Sequence, residues 1–387
     1  MTAILAAVLL AFAHGCDEDS SRSPDDEDGS ASKVPTLRVG HVGHDHHLAL
    51  YVAALEPERC KRRFGVHLET VKDRQVYDLV DDGRKIARLH LLKVGGGSGM
   101  PAAMERGEID LGLGGTAAVV KFADKGQPIR IIAPLQTDGD MLVMHPDSPI
   151  TDWRSFVRTA KSARRPLRIG YKAPIAVAKL IFERALAEEA IAYGHEPGPQ
   201  VDVLLVNFGS ETSPLPMMQR GAIDGFVMNQ PAVAVAVHKQ LGKVIADLRD
   251  LPPAGRWHDH PCCCVAATTD LLDRHGREVT AFLKLLAAAT RLIHAEPDVA
   301  IDVASRWTKY DRAVEADSIP TIAYVCEPSA NWRSGMRTWA QLVGEIDLFR
   351  GEYKNATPQR IVQDVVDLTR LGQAVDELDK REPARTP

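Results

Sequence analysis

Aromatic residues make up only 5% of this chain, so there is little on which single-stranded bases could stack. No long basic run is present and the formal net charge is −5, which excludes nucleic acid as the partner. Beyond the first residues no stretch is apolar enough to span a bilayer. The cysteines show no paired CxxC spacing, so there is no structural zinc knuckle. The run Gly95-Gly-Gly-Ser-Gly99 is not followed by Gly-Lys-Ser/Thr and lacks the dinucleotide-binding spacing, so it reads as a tight turn beside a cleft.

What is present begins with an apolar segment, Ala3 to Ala13, leading into His14-Gly15-Cys16. It is too short to cross a membrane. A small residue before a cysteine, closing an apolar run, fits an export signal over residues 1–16 that is cut at a lipid-modified Cys16. An ordinary secretory signal with a chance cysteine is the alternative, and either reading takes the protein out of the cytoplasm. Residues 17–33 are rich in Asp, Glu and Ser and cannot bury enough surface to offset the entropy of ordering them. They read as a disordered acidic tether, spanning roughly 20–25 Å by random-coil scaling. The remainder, from Val34 to Pro387, is long enough for two domains. It holds five cysteines, an odd number, so at least one thiol is expected to be free.

Met104-Glu-Arg-Gly-Glu-Ile-Asp110 returns as Met218-Gln-Arg-Gly-Ala-Ile-Asp224, which implies a duplicated building block. Each copy reads as a helix end, a glycine turn and a short apolar strand, and the duplication assigns Asp110 and Asp224 to the scaffold. Strand patterns at Leu37–Val42, Val66–Val71, Ile109–Leu113, Ile129–Pro134 and Met141–Met144 alternate with helical ones. The scheme repeats through strands at Leu167–Gly170, Val201–Asn207 and Ile223–Met228. After Pro261 the pattern is mostly helical, with the last helix expected over Pro358–Glu377. Alternation of this kind predicts two α/β lobes with mainly parallel sheets around a ligand cleft. Residues 34–137 form the first part of lobe 1, residues 138–232 form lobe 2, and residues 233–387 return to lobe 1 and add C-terminal helices.

Ligands of open sheets lie beyond the carboxyl ends of the strands, where helix N-termini present free N–H groups. The polar and small residues at those ends are the expected ligand-binding set: His44, His46, His47, Ser98, Gly114, Gly115, Thr116, Tyr171, Lys172, Asn207, Asn229, Gln230 and Cys262. Trp257 reads as a core or rim aromatic rather than a stacking platform.

His47-Leu-Ala-Leu-Tyr-Val-Ala53, Gly107-Glu-Ile-Asp-Leu-Gly112, His145-Pro-Asp-Ser-Pro-Ile-Thr-Asp-Trp153, Arg168-Ile-Gly-Tyr171, Gly221-Ala-Ile-Asp-Gly225 and Pro261-Cys-Cys-Cys264 occur in that order. In this the chain resembles the periplasmic solute-binding proteins of the nitrate, sulfonate and taurine type, together with the NMT1/THI5-like thiamine-precursor group. The likeness runs from about Val34 to Trp307. It implies a type II periplasmic-binding-protein fold, monomeric and without a cofactor, that closes on a small polar solute. It also implies delivery to the permease and ATPase subunits of an ABC importer, from a periplasmic or cell-surface position on a lipid anchor. The resemblance also raises an enzyme reading, because eukaryotic members of the group make the thiamine pyrimidine from pyridoxal phosphate and one of their own histidines. At the positions of the cofactor lysine and the consumed histidine this chain has Gly114 and Ala118, which can supply neither group. No metal is assigned, because neighbouring histidines in a turn point in different directions. The triple cysteine of those synthases is nonetheless matched at Cys262, Cys263 and Cys264. A metal or metal-chelate binding protein using the His and Cys clusters is therefore a further alternative, with His41, His44, His47, His260, Cys262, Cys263 and Cys264 as its candidate ligands.

Overall fold

The computed structural model describes residues 34–96, 99–209 and 212–381. Fourteen strands among them build two sheets. Those of the first are β1 (Thr36–His41), β2 (Val66–Lys72), β3 (Val76–Asp81), β4 (Arg84–Lys93), β5 (Leu111–Gly115) and β6 (Ile129–Asp138), joined later by β13 (Pro261–Thr268) and β14 (Ile322–Tyr324). Their order is β14-β6-β13-β5-β1-β4-β3-β2. The second sheet takes β7 (Asp140–Met144), β8 (Leu167–Tyr171), β9 (Tyr193–Gly194), β10 (Val203–Asn207), β11 (Gly225–Asn229) and β12 (Lys243–Asp247), in the order β12-β7-β11-β8-β10-β9.

The expected parallel pairing holds at the centre of each sheet, in β4-β1-β5 and in β11-β8-β10-β9. The flanks are antiparallel for local reasons. β3 and β4 form a hairpin whose Asp82-Gly83 turn has both residues at positive φ (52° and 76°), the geometry that lets a two-residue turn match strand twist. β2 continues that meander against β3, the edge strand β14 adds antiparallel to β6, and the remaining antiparallel pairs arise where the chain crosses between sheets. It leaves the first through Asp138-Gly139, again both at positive φ, enters the second as β7 against β11, and comes back as β13 between β5 and β6. The second sheet extends past Val233, the expected return point, because β12 still pairs with β7; the return follows Asp247.

The duplication is visible atom by atom. Asp110 accepts from the backbone N–H of Arg38 at 3.2 Å and from its Nε at 2.9 Å, and its own N–H donates to the Arg38 carbonyl at 2.9 Å. Asp224 does the same to Arg168, accepting at 2.8 Å from the backbone N–H and 2.9 Å from Nη2, and donating at 2.8 Å. The register matches too: Val39 lies opposite Leu111, and Ile169 opposite Gly225. A Cβ on Gly40 would fall 2.4 Å from Ile109 Cδ1, and one on Gly170 2.9 Å from Ile223 Cδ1. Arg-x-Gly on one strand and Gly-x-Ile-Asp before its parallel neighbour therefore form one locked unit, used twice.

Helices cover the sheets, and the longest, Gly276–Ala295, is buried along Val279 to Ile293. The expected helix over Pro358–Glu377 is two, Pro358–Val365 and Thr369–Asp379, separated by Asp367, whose carboxylate accepts from Thr369 N–H at 3.0 Å. Among the described residues no helix is long and apolar enough to cross a membrane. The signal, tether and Cys16 lie outside the described residues.

Candidate functional site

The carboxyl ends of the parallel strands of both sheets converge on a cavity of about 60 Å³. The first sheet contributes His44, His46, Gly114, Gly115, Cys262 and Cys263, and the second Asp140, Lys172 and Asn229. Ile175, Val177, Val227 and Met228 add apolar wall. A second cavity of about 250 Å³ adjoins it, sharing Val42, His44, Lys172 and Met228, and opens toward Lys93 and Tyr310. A surface groove of about 630 Å³ lies far from these strand ends, by the Asp82-Gly83 hairpin turn, and gathers neither imidazoles nor thiols.

The histidines divide by role. His44 caps the 3-10 turn Asp45–His47, its Nδ1 accepting from His46 N–H at 3.2 Å, and its ring faces both cavities. Burial pushes its pKa well down, and His47, Lys172 and His46 add to the effect, so it is neutral. His47 is fully buried and does not reach the cavity; its Nδ1 accepts from Val42 N–H at 3.2 Å and holds the turn. His41 stacks edge-on against Tyr51 and Trp307 in the core, and burial lowers its pKa to about 4.

His46 and His260 meet the cysteines. Cys262 Sγ lies 3.5 Å from His46 Nδ1 and 3.2 Å from Asp140 Oδ2, and Cys263 Sγ 3.9 Å from His46 Nδ1. His260 Nδ1 lies 2.7 Å from the Trp257 carbonyl and 3.4 Å from Asp138, while its Nε2 lies 3.5 Å from Asp140. The imidazole thus bridges the two carboxylates at which the chain crosses between sheets. Burial opposes its charge, but hydrogen bonds with Asp138 and Asp140 hold its pKa well up, and the same contacts keep Asp140 down against its own burial. Burial raises the Cys262 thiol well above its ordinary value, reinforced by Cys263 and Asp140. Register shifts around Cys263 where β13 meets β6 bring the neighbours Cys262 and Cys263 to the same cavity. Cys264 points away, toward the Gly114 carbonyl at 3.7 Å, and burial pushes its pKa up to about 12. Cys60, Cys262, Cys263, Cys264 and Cys326 are all free thiols.

The other expected site residues fall in several places. Gly114, Gly115, Lys172, Asn229 and Cys262 line the cavity with His44 and His46. Thr116 is fully buried at the start of the helix Thr116–Asp124. Tyr171 turns its hydroxyl to His195 at 3.2 Å. Asn207 is exposed and closes an Asx turn on Gly209 N–H at 2.9 Å. Gln230 is buried, bonding Thr321 and Ala234 N–H. Ser98 lies outside the described residues. Trp257 is core, its indole donating to the Pro252 carbonyl at 3.1 Å. Asp138 and Asp140 were not expected; the Asp-Gly dipeptide between two apolar runs was the signal that marked their turn.

Two sheets joined by crossing strands, with the cavity at the strand ends between them, define a type II periplasmic-binding-protein fold. The chain belongs to the NMT1-like family, whose model matches residues 30–307. It is similar in structure to the periplasmic nitrate-binding protein of Synechocystis, with a TM-score of 0.68, 15% identity and coverage of 91% of this chain and 92% of that one. The zinc-bound ligand-binding component of an ABC-type import system from Staphylococcus aureus aligns with a TM-score of 0.66 and 16% identity over 88% and 99% of the two chains. The alkanesulfonate-binding protein of Xanthomonas axonopodis pv. citri, bound to MOPS, aligns at 0.60 and 14% over 83% and 96%. An uncharacterised protein of Methanocaldococcus jannaschii is 34% identical over 139 residues, which is 36% of this chain and 88% of that protein.

Proposed function

We propose that this protein is the solute-capturing component of an ABC importer, held outside the cytoplasm by a lipid on Cys16. It would take a small polar solute of the nitrate, sulfonate, taurine or thiamine-pyrimidine kind into the cavity and pass it to the permease. The observation that carries the reading is that both sheets contribute polar groups to one cavity. His44 comes from one side and Lys172 and Asn229 from the other, so closure would bury hydrogen bonds from both at once. A buried partner left unpaired costs about 1–3 kcal/mol, which supplies selectivity. Lys172 and the N–H groups at the Gly115 helix start favour a solute with an anionic end.

The test is calorimetric titration with nitrate, alkanesulfonates, taurine and the thiamine pyrimidine, after native mass spectrometry of the purified protein. Saturable binding of at least one, weakened about tenfold in Lys172→Ala, a change of roughly 1.4 kcal/mol, is expected. Absence of any retained or titratable solute would overturn the reading. The lipid anchor is tested separately: Cys16→Ser should move the protein from the membrane fraction to the soluble fraction, and unchanged association would refute it.

A further inference from the structure

The floor of the cavity carries chemistry that capture of a polar organic solute does not use. Four donors crowd around one sulfur: Cys262 Sγ has His46 Nδ1 at 3.5 Å and Asp140 Oδ2 at 3.2 Å, with Cys263 and His260 beside them. The donor atoms of His46, Cys262 and Cys263 all lie within 4.8 Å of one another, and so do those of Asp140, His260 and Cys262. All five residues are buried.

We infer that this floor binds a single divalent ion of the zinc or cobalt class, held by Cys262, Cys263 and His46 with Asp140 as the fourth donor. Distance, donor type and support agree. Zinc bonds of about 2.3 Å to sulfur and 2.0 Å to nitrogen in a tetrahedron set a sulfur–nitrogen edge of roughly 3.5 Å. The observed edges are 3.5 and 3.9 Å, so these three side chains need little movement, whereas Asp140, which groups with His260 and Cys262, must swing in to complete the tetrahedron. Two sulfurs, an imidazole and a carboxylate suit borderline-soft ions and not calcium or magnesium, which take oxygen. His46 Nδ1 is the nitrogen turned to the sulfurs, while its Nε2 is buried beside Gly139 without a hydrogen-bond partner among the described residues. Asp140 is fixed by His260, itself anchored on the Trp257 carbonyl, an outer shell of the kind that orients metal ligands. Gln136 Nε2 contacts the same His46 Nδ1 and would have to give up that contact. Cys264, on the other face, takes no part, so the ligand set is not the cysteine triplet as such.

The inference does not depend on which organic solute the cleft accepts. Its test is titration of the reduced, chelator-stripped full chain with Zn²⁺ against a chromophoric chelator, and with Co²⁺ followed by absorption. One ion per chain is expected, with a sulfur-to-cobalt charge-transfer band and the strong visible bands of tetrahedral Co²⁺. Cys262→Ser should weaken binding by roughly a hundredfold or more, and His46→Ala by about tenfold or more. Cys264→Ser should leave it unchanged, and Gln136→Ala should not weaken it. Melting curves in chelator establish that each variant folds; if Cys262→Ser does not, Cys263→Ser with Co²⁺ replaces it, and loss of charge-transfer intensity is then the expected result. Absence of one-to-one binding, a Co²⁺ spectrum without the sulfur band, or equal weakening by Cys264→Ser and Cys262→Ser would overturn the site. None of these outcomes bears on the solute titrations, which are run in chelator.

Discussion

The two copies of the duplicated unit share a frame and differ at its ends. In both, an aspartate locks the arginine two residues before a strand glycine, and the parallel neighbour enters in the same register. Beyond the frame, the first copy ends in Gly114-Gly115 beside imidazoles and thiols, whereas the second ends in Lys172 and Asn229. The residue after each strand glycine also differs: His41, packed on Tyr51 and Trp307, against Tyr171, bonded to His195. Duplication thus kept the part that sets geometry, while the strand ends were free to diverge, because a side chain there alters the cavity without disturbing pairing.

The largest expected asymmetry is in acid. Burial, with Lys93 nearby, lowers His41 to about 4, and Tyr171 has no counterpart titration in that range. Because the folded pKa lies below the unfolded value near 6.5, the stabilising contribution is complete above pH 6.5 and is lost as pH falls toward 4. The full span is worth about 3 kcal/mol. Asp45, raised by burial and by Glu315, acts with the opposite sign, so the measurement is a difference. Between pH 7 and 4 the wild type should lose more stability in denaturant melts than His41→Gln; parallel curves would show that His41 carries no such load.

Next in size is Gly225→Ala. Its Cβ would fall 2.4 Å from the Val143 carbonyl oxygen, a backbone atom that cannot swing aside, whereas on Gly112 it would meet the flexible Met100 side chain at 2.4 Å. Overpacking of this kind costs about 1–3 kcal/mol, with Gly225→Ala at the upper end and Gly112→Ala at the lower. Equal melting temperatures would contradict the distinction.

The smallest contrast sharpens the shared frame itself. Asp224 is held by two arginines, Arg165 at 2.8 Å and Arg168 at 2.9 Å, while Asp110 has Arg38. Against the cost of burial, Arg165 and Arg168 hold the Asp224 carboxyl well below the ordinary range. That contribution is present above the unfolded value near 3.9 and is lost as pH falls below it. Asp224→Ala should cost about 2 kcal/mol and Asp110→Ala about 1, the hydrogen bonds to charge being partly screened by water. A loss of solute affinity in Asp224→Ala at unchanged melting temperature would show that it belongs to the site and not the frame.

Much of this frame was legible in the sequence because repetition and apolar periodicity report on backbone pairing. The strands of both copies appear within two residues or so of where the pattern places them. Two central strands escaped that reading. β4 follows an Asp-Gly hairpin turn and carries charged residues at both ends that blur its apolar alternation, and β13 is a continuous apolar run, Pro261 to Ala267, that periodicity cannot tell from a helix. The site was legible only as a set of segments. Strand ends were located, but whether a residue there faces the cavity depends on turn dihedrals and on alternation. His44 and His46 line it while His47, between the same turn and its helix, is sealed beneath, and neighbouring Cys263 and Cys264 part company.

Asp45 accepts from Ser318, and its carbonyl from the Tyr324 hydroxyl at 3.0 Å; β14, which carries Tyr324, pairs with β6. Both partners, and β14 itself, lie past residue 307, where the family match stops. The histidine turn at the front of the fold is therefore clasped from behind by its least typical stretch. An expression fragment trimmed to the recognisable family region would leave Asp45 buried without its hydroxyls and the edge of β6 bare, so the natural unit for recombinant work runs through Tyr324 and on into the helices that follow.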